Sequence, residues 1–246
     1  EAVGAPEIDP DAVRKLQIGM VENCAGVGQV SSAAAELGVE LLRLVEHDET
    51  CQWLLKKRHP ESVVLSDVLD PAWYLGLSAA EKRRLVIVFG GYPCQGYSSA
   101  NRGRRGAEDP RSWLLLEALK VLSQPDLNYN QRGRLLVFAG ENVVDKEELA
   151  GGPDSLLQKE RAYAQLHGYG RSSLRVRAVD FGDAQHRVRL VETFEPFEML
   201  DCLGEIGLPP TRPNAAAVVK DVVLTPERRD AGCWVDQWRD KSEYIA

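Results

Sequence analysis

Short apolar runs alternate with longer amphipathic stretches along most of this chain, and this alternation constrains the fold more than any other feature. The apolar runs predict strands at residues 17–21, 41–45, 85–89, 135–139, 174–179 and 188–193. The amphipathic stretches predict helices at residues 30–37, 49–58, 113–122 and 155–167. Strands separated by helices indicate an α/β fold with a doubly wound, mostly parallel sheet. Ligands of such sheets bind at the carboxyl ends of the strands.

Chain length and proline placement suggest how the domains are arranged. With 246 residues, the chain is long enough to bury a substantial core. Residues 1–14 show no periodicity and are predicted to be a leader, and residues 15–195 are predicted to form the main α/β domain. Pro209, Pro210 and Pro213 indicate a linker, so residues 196–246 are predicted to be this linker and part of a smaller domain.

Cysteine spacing and charge bear on the compartment and the partners. The five cysteines lack paired or metal-ligand spacing, which predicts no metal site and a reducing, intracellular compartment. No stretch approaches the roughly 18 apolar residues of a membrane-spanning helix, so no membrane partner is expected. The net charge of −7 argues weakly against nucleic acid, whereas arginines are concentrated at residues 102–105 and 171–189. The charge balance therefore leaves nucleic acid binding open.

A glycine-rich turn, Glu22-Asn23-Cys24-Ala25-Gly26-Val27-Gly28, follows the first predicted strand. Glycines there let the backbone approach a ligand and open a helix whose first N–H groups attract a carboxylate or phosphate. Taken alone, a plain tight turn is the more common explanation. However, Glu46 ends the next predicted strand about 20 residues later, where ribose-binding acids are found. Asp67 follows a third apolar run and could meet an adenine amino group, so these features together predict a nucleoside-containing cofactor.

A second glycine-rich turn follows the predicted strand at residues 85–89 and carries Cys94 between Pro93 and Gln95. A lone cysteine is more often a small buried hydrophobic residue. A loop at the carboxyl end of a strand is a poor place to bury an unreactive side chain. Pro93 also restricts the backbone, so the direction of the Cys94 sulfur is set before a substrate binds. Cys94 is therefore a candidate nucleophile.

The loop after Cys94 carries Ser98 and then Arg102, Arg104 and Arg105, with glycines on either side of the arginines. This composition predicts a hinged basic loop that closes over a phosphate backbone. A solvated charged loop is the alternative, and for the arginines alone it is the preferred one.

Two further polar segments accompany later strands. Glu141-Asn142-Val143 follows the strand at residues 135–139, and a carboxylate there can act as an acid if burial raises its pKa. Taken singly, a loop glutamate is more often solvated. Alternation places Gln185, Arg187 and Arg189 on one face of the last predicted strand. Three long polar side chains on one face need water or a polar ligand, and they could also pair with Glu141.

In this order, the four segments resemble the signature blocks of the cytosine-5 DNA methyltransferases. The matching segments are Ala25-Gly26-Val27-Gly28 for the cofactor turn, Gly91-Tyr92-Pro93-Cys94-Gln95 for the nucleophile loop, Glu141-Asn142-Val143, and Gln185-His186-Arg187-Val188-Arg189. Asp109-Pro110-Arg111-Ser112 resembles a minor block of the family. The resemblance covers roughly residues 17 to 193, and the joint match is specific.

The chain departs from the family pattern in several places. Cys24 replaces the usual Phe, Glu22 the usual Asp and Tyr92 the more common Pro. Residues 208–222 resemble the entry to a target-recognition region, and nothing in residues 203–246 resembles the block that completes the family's cofactor pocket. The chain is therefore expected to be a catalytic fragment or a degenerate homologue.

The resemblance implies a Rossmann-like catalytic domain at residues 15–195 that uses S-adenosyl-L-methionine as its methyl donor. It implies double-stranded DNA as the partner, with a flipped cytosine attacked at C6 by Cys94. Glu141 would act at N3 of the base, and Arg189 and Arg187 would hold O2 and the carboxylate.

The resemblance also assigns the binding residues. The cofactor would contact Cys24, Ala25, Gly26, Val27, Gly28, Glu46, Asp67, Pro93 and either Val68 or Trp73. The substrate would contact Gln95, Ser98, Arg102, Arg104, Arg105, Asn142 and Gln185. Two alternatives stay open, a catalytically inactive paralogue and a tRNA cytosine-5 methyltransferase, so RNA is a second candidate partner. The expected location is the nucleus in a eukaryote and the cytoplasm in a prokaryote.

Overall fold

The computed structural model describes Asp11 and residues 15–128, 136–146, 155–177 and 188–197. The chain divides into two compact units, and the larger unit comprises Pro6–Val176 and Val188–Gly207. Gln185, Arg187 and most of the predicted leader, linker and smaller domain lie outside the described residues. In the described part of the chain, no helix has the length and apolar character needed to cross a bilayer.

Within the described residues, seven strands form one sheet in the order β3-β2-β1-β4-β5-β7-β6. The strands are β1 (Ile18–Asn23), β2 (Glu40–Val45), β3 (Val63–Leu65), β4 (Leu85–Gly91), β5 (Leu136–Asn142), β6 (Tyr169–Arg177) and β7 (Val188–Pro196). Pairs β1–β2, β2–β3, β1–β4 and β4–β5 are parallel, and β5–β7 is antiparallel. The predicted mostly parallel, doubly wound sheet is confirmed. Its strand order reverses between β1 and β4, which is where such sheets bind ligands.

The described helices lie between the strands; four of them overlap predicted helices, and the short helix at Ala72–Leu75 was not predicted. They are α1 (Gln29–Glu36), α2 (Glu49–Arg58), α3 (Ala72–Leu75), α4 (Leu114–Ala118) and α5 (Leu156–Leu166), with 3₁₀ turns at Glu81–Arg83, Gly106–Glu108, Pro110–Trp113 and Leu119–Ser123. Ser155 is the N-cap of α5, because its side chain accepts the Gln158 N–H. The predicted helix at 113–122 is α-helical only in its middle. The α-helical part is preceded by the 3₁₀ turn at Pro110–Trp113. In this turn the Asp109 side chain accepts the Arg111 N–H, and Pro110 has no N–H to donate.

Strands β1, β4 and β5 extend two or three residues further toward the site than their apolar runs predict. β1 continues through Glu22 and Asn23 because it pairs with β2 on one side and β4 on the other. β5 likewise continues through Glu141 and Asn142, which pair with Val191 and Leu190 of β7. These polar residues therefore have strand geometry, not the turn geometry expected from the sequence. The sheet thus fixes the direction of their side chains.

A continuous apolar core packs on the sheet behind these strand ends. Phe138 of β5 stacks on Tyr92, with ring centroids 6.1 Å apart, and meets Phe194 of β7 edge to face at 5.8 Å. Leu115 of α4 and Trp73 of α3 are buried in the same cluster. Because aromatic rings on β5 and β7 hold Tyr92, the residue that starts the nucleophile loop is anchored in the core.

Candidate active site

The turn after β1 reverses the chain with three residues in the left-handed region, Cys24, Gly26 and Gly28. Cys24 has a φ of 53° and Gly28, the N-cap of α1, has a φ of 77°. A Cβ on Gly28 would lie 2.6 Å from Leu55 Cδ2, so glycine is needed there for both backbone and space. The Gly26 N–H donates to Glu46 Oε2 at 2.6 Å. The turn is thereby tied to the acidic residue that was predicted to bind ribose.

The start of α1 is already capped by the protein itself. Glu22 is buried at the end of β1, and its Oε2 accepts the Ser31 N–H at 3.0 Å and also the Ser31 hydroxyl. Burial raises the pKa of the Glu22 carboxyl, although both hydrogen bonds from Ser31 act in the opposite direction. The carboxylate that the Ser31 N–H attracts is therefore one of the protein's own.

A cavity of about 420 Å³ opens where β1, β2, β3 and β4 end. Its wall includes six of the residues predicted to contact cofactor or substrate: Cys24, Glu46, Asp67, Val68, Pro93 and Gln95. The volume lies in the range of small-molecule sites, and the position is the switch point of the sheet. The structure therefore brings these dispersed residues together around one cavity.

Acidic groups give this cavity its electrostatic character. Glu46 accepts backbone N–H groups on both oxygens, from Gly26 at 2.6 Å and from Asp48 at 2.8 Å. Asp67 accepts the Leu69 N–H at 2.8 Å. Desolvation, together with the charges of Glu46 and Glu22, raises the pKa of the Cys24 thiol to about 12. Cys24 is thus a neutral wall residue, and the part of the cavity beside Glu46 and Asp67 favours a ligand that carries hydroxyl or amino donors.

Sequence reasoning missed part of the wall. His47 and Ser66 line the cavity beside Glu46 and Asp67, and their position next to those acids was a usable signal. Arg111 and Leu114 also line it, although their segment had been noted only as a minor family block.

Several predicted contacts lie away from the cavity wall. Ala25 packs in a small core with Leu44 and Leu55. Trp73, the alternative to Val68, is buried in the main core, and its Nε1 donates to the Val68 carbonyl at 2.9 Å. Trp73 therefore supports Val68 and does not take its place.

The nucleophile loop begins at the end of β4 and turns tightly at Cys94. The Cys94 carbonyl accepts the Tyr97 N–H at 2.9 Å and the Ser98 N–H at 2.8 Å, and the half-buried side chain is a free thiol. A Cβ on Gly96 would lie 2.2 Å from Ser112 Oγ and 2.8 Å from the Gly106 carbonyl. The loop thus folds back on itself at Gly96 and leaves no room for a side chain there.

Glu141 and Arg189 meet beside the base of this loop. Arg189 Nε lies 2.6 Å from Glu141 Oε1, in a half-buried ion pair. The sheet register places Glu141 opposite Gly91, and a Cβ on Gly91 would lie 3.8 Å from Glu141 Oε2. The predicted pairing of Arg189 with Glu141 is confirmed. Asn142 is buried, and its Oδ1 accepts the Val143 N–H at 2.9 Å.

The arginines after Cys94 have different surroundings. Arg102 and Arg104 are both exposed, and Arg104 Nη1 donates to Asp145 Oδ2 at 3.0 Å and to the Tyr97 carbonyl at 3.3 Å. Arg111 makes a two-pronged pair with Asp109 at 3.0 and 2.7 Å, which lowers the pKa of the Asp109 carboxyl to about 2. Arg111 also lies within electrostatic reach of Cys94, which helps to raise the pKa of the guanidinium after the larger effect of Asp109.

Comparison with known proteins assigns the chain to a family. The family model for the C-5 cytosine-specific DNA methylases matches residues 18–193. This chain belongs to that family. The resemblance drawn from the four sequence segments is confirmed, and the matched range runs from the first residue of β1 into β7.

Two curated relatives and one solved structure illustrate the likeness. Type II methyltransferase M.AgeI of Thalassovita gelatinovora is 27% identical over 168 residues, which cover 67% of this chain and 36% of that protein. Type II methyltransferase M.AquIA of Picosynechococcus sp. is 29% identical over 173 residues, 68% of this chain and 67% of that protein. The structure of Entamoeba histolytica methyltransferase EhMeth superposes with a TM-score of 0.55 at 16% identity, covering 80% of this chain and 58% of that one. The chain thus matches only about a third of M.AgeI and little more than half of EhMeth.

Proposed function

We propose that this chain forms the catalytic part of an enzyme that methylates C5 of cytosine in double-stranded DNA. The observation that carries the proposal is the placement of the Glu141–Arg189 pair. Glu141 lies opposite Gly91, three residues before Cys94, and Pro93 and Gln95 line the adjoining cavity. A thiol, a carboxylate–guanidinium pair and a cofactor-sized cavity therefore share one edge of the sheet.

The cavity suits S-adenosyl-L-methionine, which supplies an activated methyl group when it is bound. Its ribose hydroxyls would donate to Glu46, whose oxygens retain accepting capacity beyond the two backbone N–H groups they already bind. Asp67 and Val68 would hold the adenine end, and the positive sulfonium matches the acidic wall. Cys24, protonated at neutral pH, would contribute packing without a competing charge.

Cys94 supplies the covalent chemistry. C5 of cytosine is a poor nucleophile, and attack of the Cys94 thiolate at C6 forms an S–C6 bond that pushes electrons toward C5. C5 then accepts the methyl group and gives up its proton to a solvent water or hydroxide. The S–C6 bond breaks as the double bond reforms, which regenerates the thiolate.

Glu141 and Arg189 stabilise the same adduct. A proton or hydrogen bond from Glu141 at N3 offsets the charge that builds on the ring after attack at C6. Arg189 Nε already holds Glu141 Oε1 at 2.6 Å, so the carboxyl group is oriented before the base arrives. Arg189, together with Arg187, would also bind O2 of the base.

The target base must leave the duplex to reach Cys94, at a cost of a few kcal/mol. The exposed side chain of Arg102, on the loop after Cys94, is placed to offset part of that cost by binding backbone phosphates. The other proposed substrate contacts are Gln95, Ser98, Arg105, Asn142 and Gln185.

A covalent trap tests the proposal. The full-length protein is incubated with S-adenosyl-L-methionine and duplex DNA that contains 5-fluorocytosine, from which the enzyme cannot remove the C5 substituent. We expect a denaturant-resistant protein–DNA adduct that is lost in Cys94→Ser. Cys51→Ser is the matched control, because Cys51 is also a free cysteine but lies in α2, outside the cavity wall.

The outcome separates the alternatives left open by the sequence. A folded protein that binds the cofactor by calorimetry yet gives no adduct with DNA or RNA would indicate an inactive paralogue. An adduct with 5-fluorocytosine tRNA, and none with duplex DNA, would indicate the tRNA branch. Either result would overturn the proposal.

A further inference from the structure

One arginine of the nucleophile loop is bound to the protein on two sides. Arg104 Nη1 donates to Asp145 Oδ2 at 3.0 Å and to the carbonyl of Tyr97 at 3.3 Å. Tyr97 is fully buried and lies three residues after Cys94. The Arg104 guanidinium therefore joins the loop that carries the nucleophile to the segment that follows Glu141.

Asp145 has a rigid position because the next residue is a buried anchor. Lys146 is 1% exposed, and its Nζ donates to Glu160 at 2.8 and 3.1 Å and to Glu192 at 2.7 Å. Glu192 also accepts both Nε and Nη2 of Arg171, at 3.0 and 2.8 Å. A charged group buried in this way cannot move without losing its partners, so the backbone at Asp145 is held in place.

The anchor also reaches the strand that carries Arg189. Glu192 lies on β7, three residues after Arg189, and pairs across the sheet with Gly140. Asp145 and Lys146 thus connect three parts of the site: the Cys94 loop through Arg104, the end of β5 through the chain, and β7 through Glu192.

We propose that the Arg104–Asp145 ion pair is a clamp that positions the Cys94 loop relative to the Glu141–Arg189 pair. Arg104, whose side chain is exposed like that of Arg102, is then a positioning residue and not a phosphate contact because its guanidinium is held by Asp145. This refines the expectation that every arginine of the loop binds DNA. The activity side of the inference rests on the proposed function, whereas the clamp itself does not.

Hydrogen exchange tests the clamp without DNA or activity. Arg104→Ala and Asp145→Ala should each raise exchange about threefold or more in the peptide spanning residues 95–106, because that loop loses its tether. Arg104→Asp combined with Asp145→Arg should recover at least half of the protection. Arg84→Ala is the control, since Arg84 makes an ion pair with Glu40 at the amino ends of β4 and β2, away from the Cys94 loop. Unchanged exchange in both single variants, or no recovery in the swap, would overturn the clamp.

DNA binding and adduct kinetics then separate positioning from phosphate contact. For Arg104→Ala we expect a three- to tenfold slower adduct step with an unchanged salt dependence of DNA affinity. In a plot of log binding constant against log salt concentration, Arg102→Ala should make the negative slope less steep by about 0.9, the value for one phosphate contact. If Arg104→Ala lowered the slope as much as Arg102→Ala does, Arg104 would be a phosphate contact. If exchange changed as expected but wild type gave no adduct, the proposed function would fail and the clamp would stand.

Discussion

Replacing Lys146 by Met should cost more stability than any surface substitution in this domain. The ammonium is 1% exposed and makes three hydrogen bonds to two carboxylates that are themselves fully buried. Removing one partner of a buried ion pair typically costs about 3–5 kcal/mol, because an uncompensated charge stays behind. Glu192 retains Arg171, so the cost falls mainly on Glu160. We expect a loss of about 3–4 kcal/mol near neutral pH.

The loss should also depend on pH. Desolvation raises the pKa of Glu160 from 4.5 to about 7, and the charge of Lys146 opposes that rise. A carboxyl whose folded pKa is raised binds its proton more tightly in the folded state, so stability falls as pH rises toward that pKa. In the wild type this decline ends once Glu160 is ionised in the folded state, because Lys146 limits the rise of its pKa. Without Lys146 the pKa of Glu160 rises further. The stability of the variant should then keep falling by about 1.4 kcal/mol per pH unit until the pH reaches that higher pKa.

Urea unfolding followed by circular dichroism measures this effect. Between about pH 7 and about pH 8.5, the deficit of Lys146→Met should grow by about 2 kcal/mol. Adding Glu160→Gln should remove the pH dependence, because the titrating group is gone. Lys82→Met is the control, since Lys82 lies 3.6 Å from the exposed Asp126 and should cost less than about 1 kcal/mol. An equal deficit at both pH values would refute the reasoning.

Two further substitutions test the cavity and the loop. Gly96→Ala places a methyl group 2.2 Å from Ser112 Oγ and 2.8 Å from the Gly106 carbonyl, so we expect a loss of about 1–3 kcal/mol in urea unfolding; wild-type stability would show that the loop tolerates a side chain. Glu46→Ala removes the acceptor of the Gly26 N–H and the proposed ribose partner, so S-adenosyl-L-methionine affinity by calorimetry should fall about tenfold or more; unchanged affinity would place the ribose elsewhere.

Much of the fold could be predicted because hydrophobic periodicity is a local property. The predicted helix at 49–58 matches α2, and the strand at 85–89 is the first part of β4. The errors lie at strand ends and in short elements: β3 and α3 were not predicted, and β6 begins at Tyr169, not at residue 174. Polar residues such as Glu22 and Glu141 remain in strands because neighbouring strands supply backbone partners on both sides, which a single run of sequence does not reveal.

Part of the site could also be predicted from the sequence, because acidic residues and a cysteine at the carboxyl ends of parallel strands lie at the same end of the sheet. Glu46, Asp67 and Pro93 line the cavity as predicted. His47 and Arg111 were missed although His47 adjoins Glu46 and Arg111 lies in the minor family block, because neither signal shows that the side chain reaches the cavity. Their role depends on where other elements bring the chain.

The sequence by itself determined which strands would form, which ends would carry the chemistry and which family the chain belongs to. These properties follow from local patterns and from motifs in a fixed order. The tertiary structure decided what each polar group is bound to: Glu22 to Ser31, Arg104 to Asp145, and Lys146 to Glu160 and Glu192. Such pairings join residues far apart in the chain, and only the packed sheet brings them within hydrogen-bond distance.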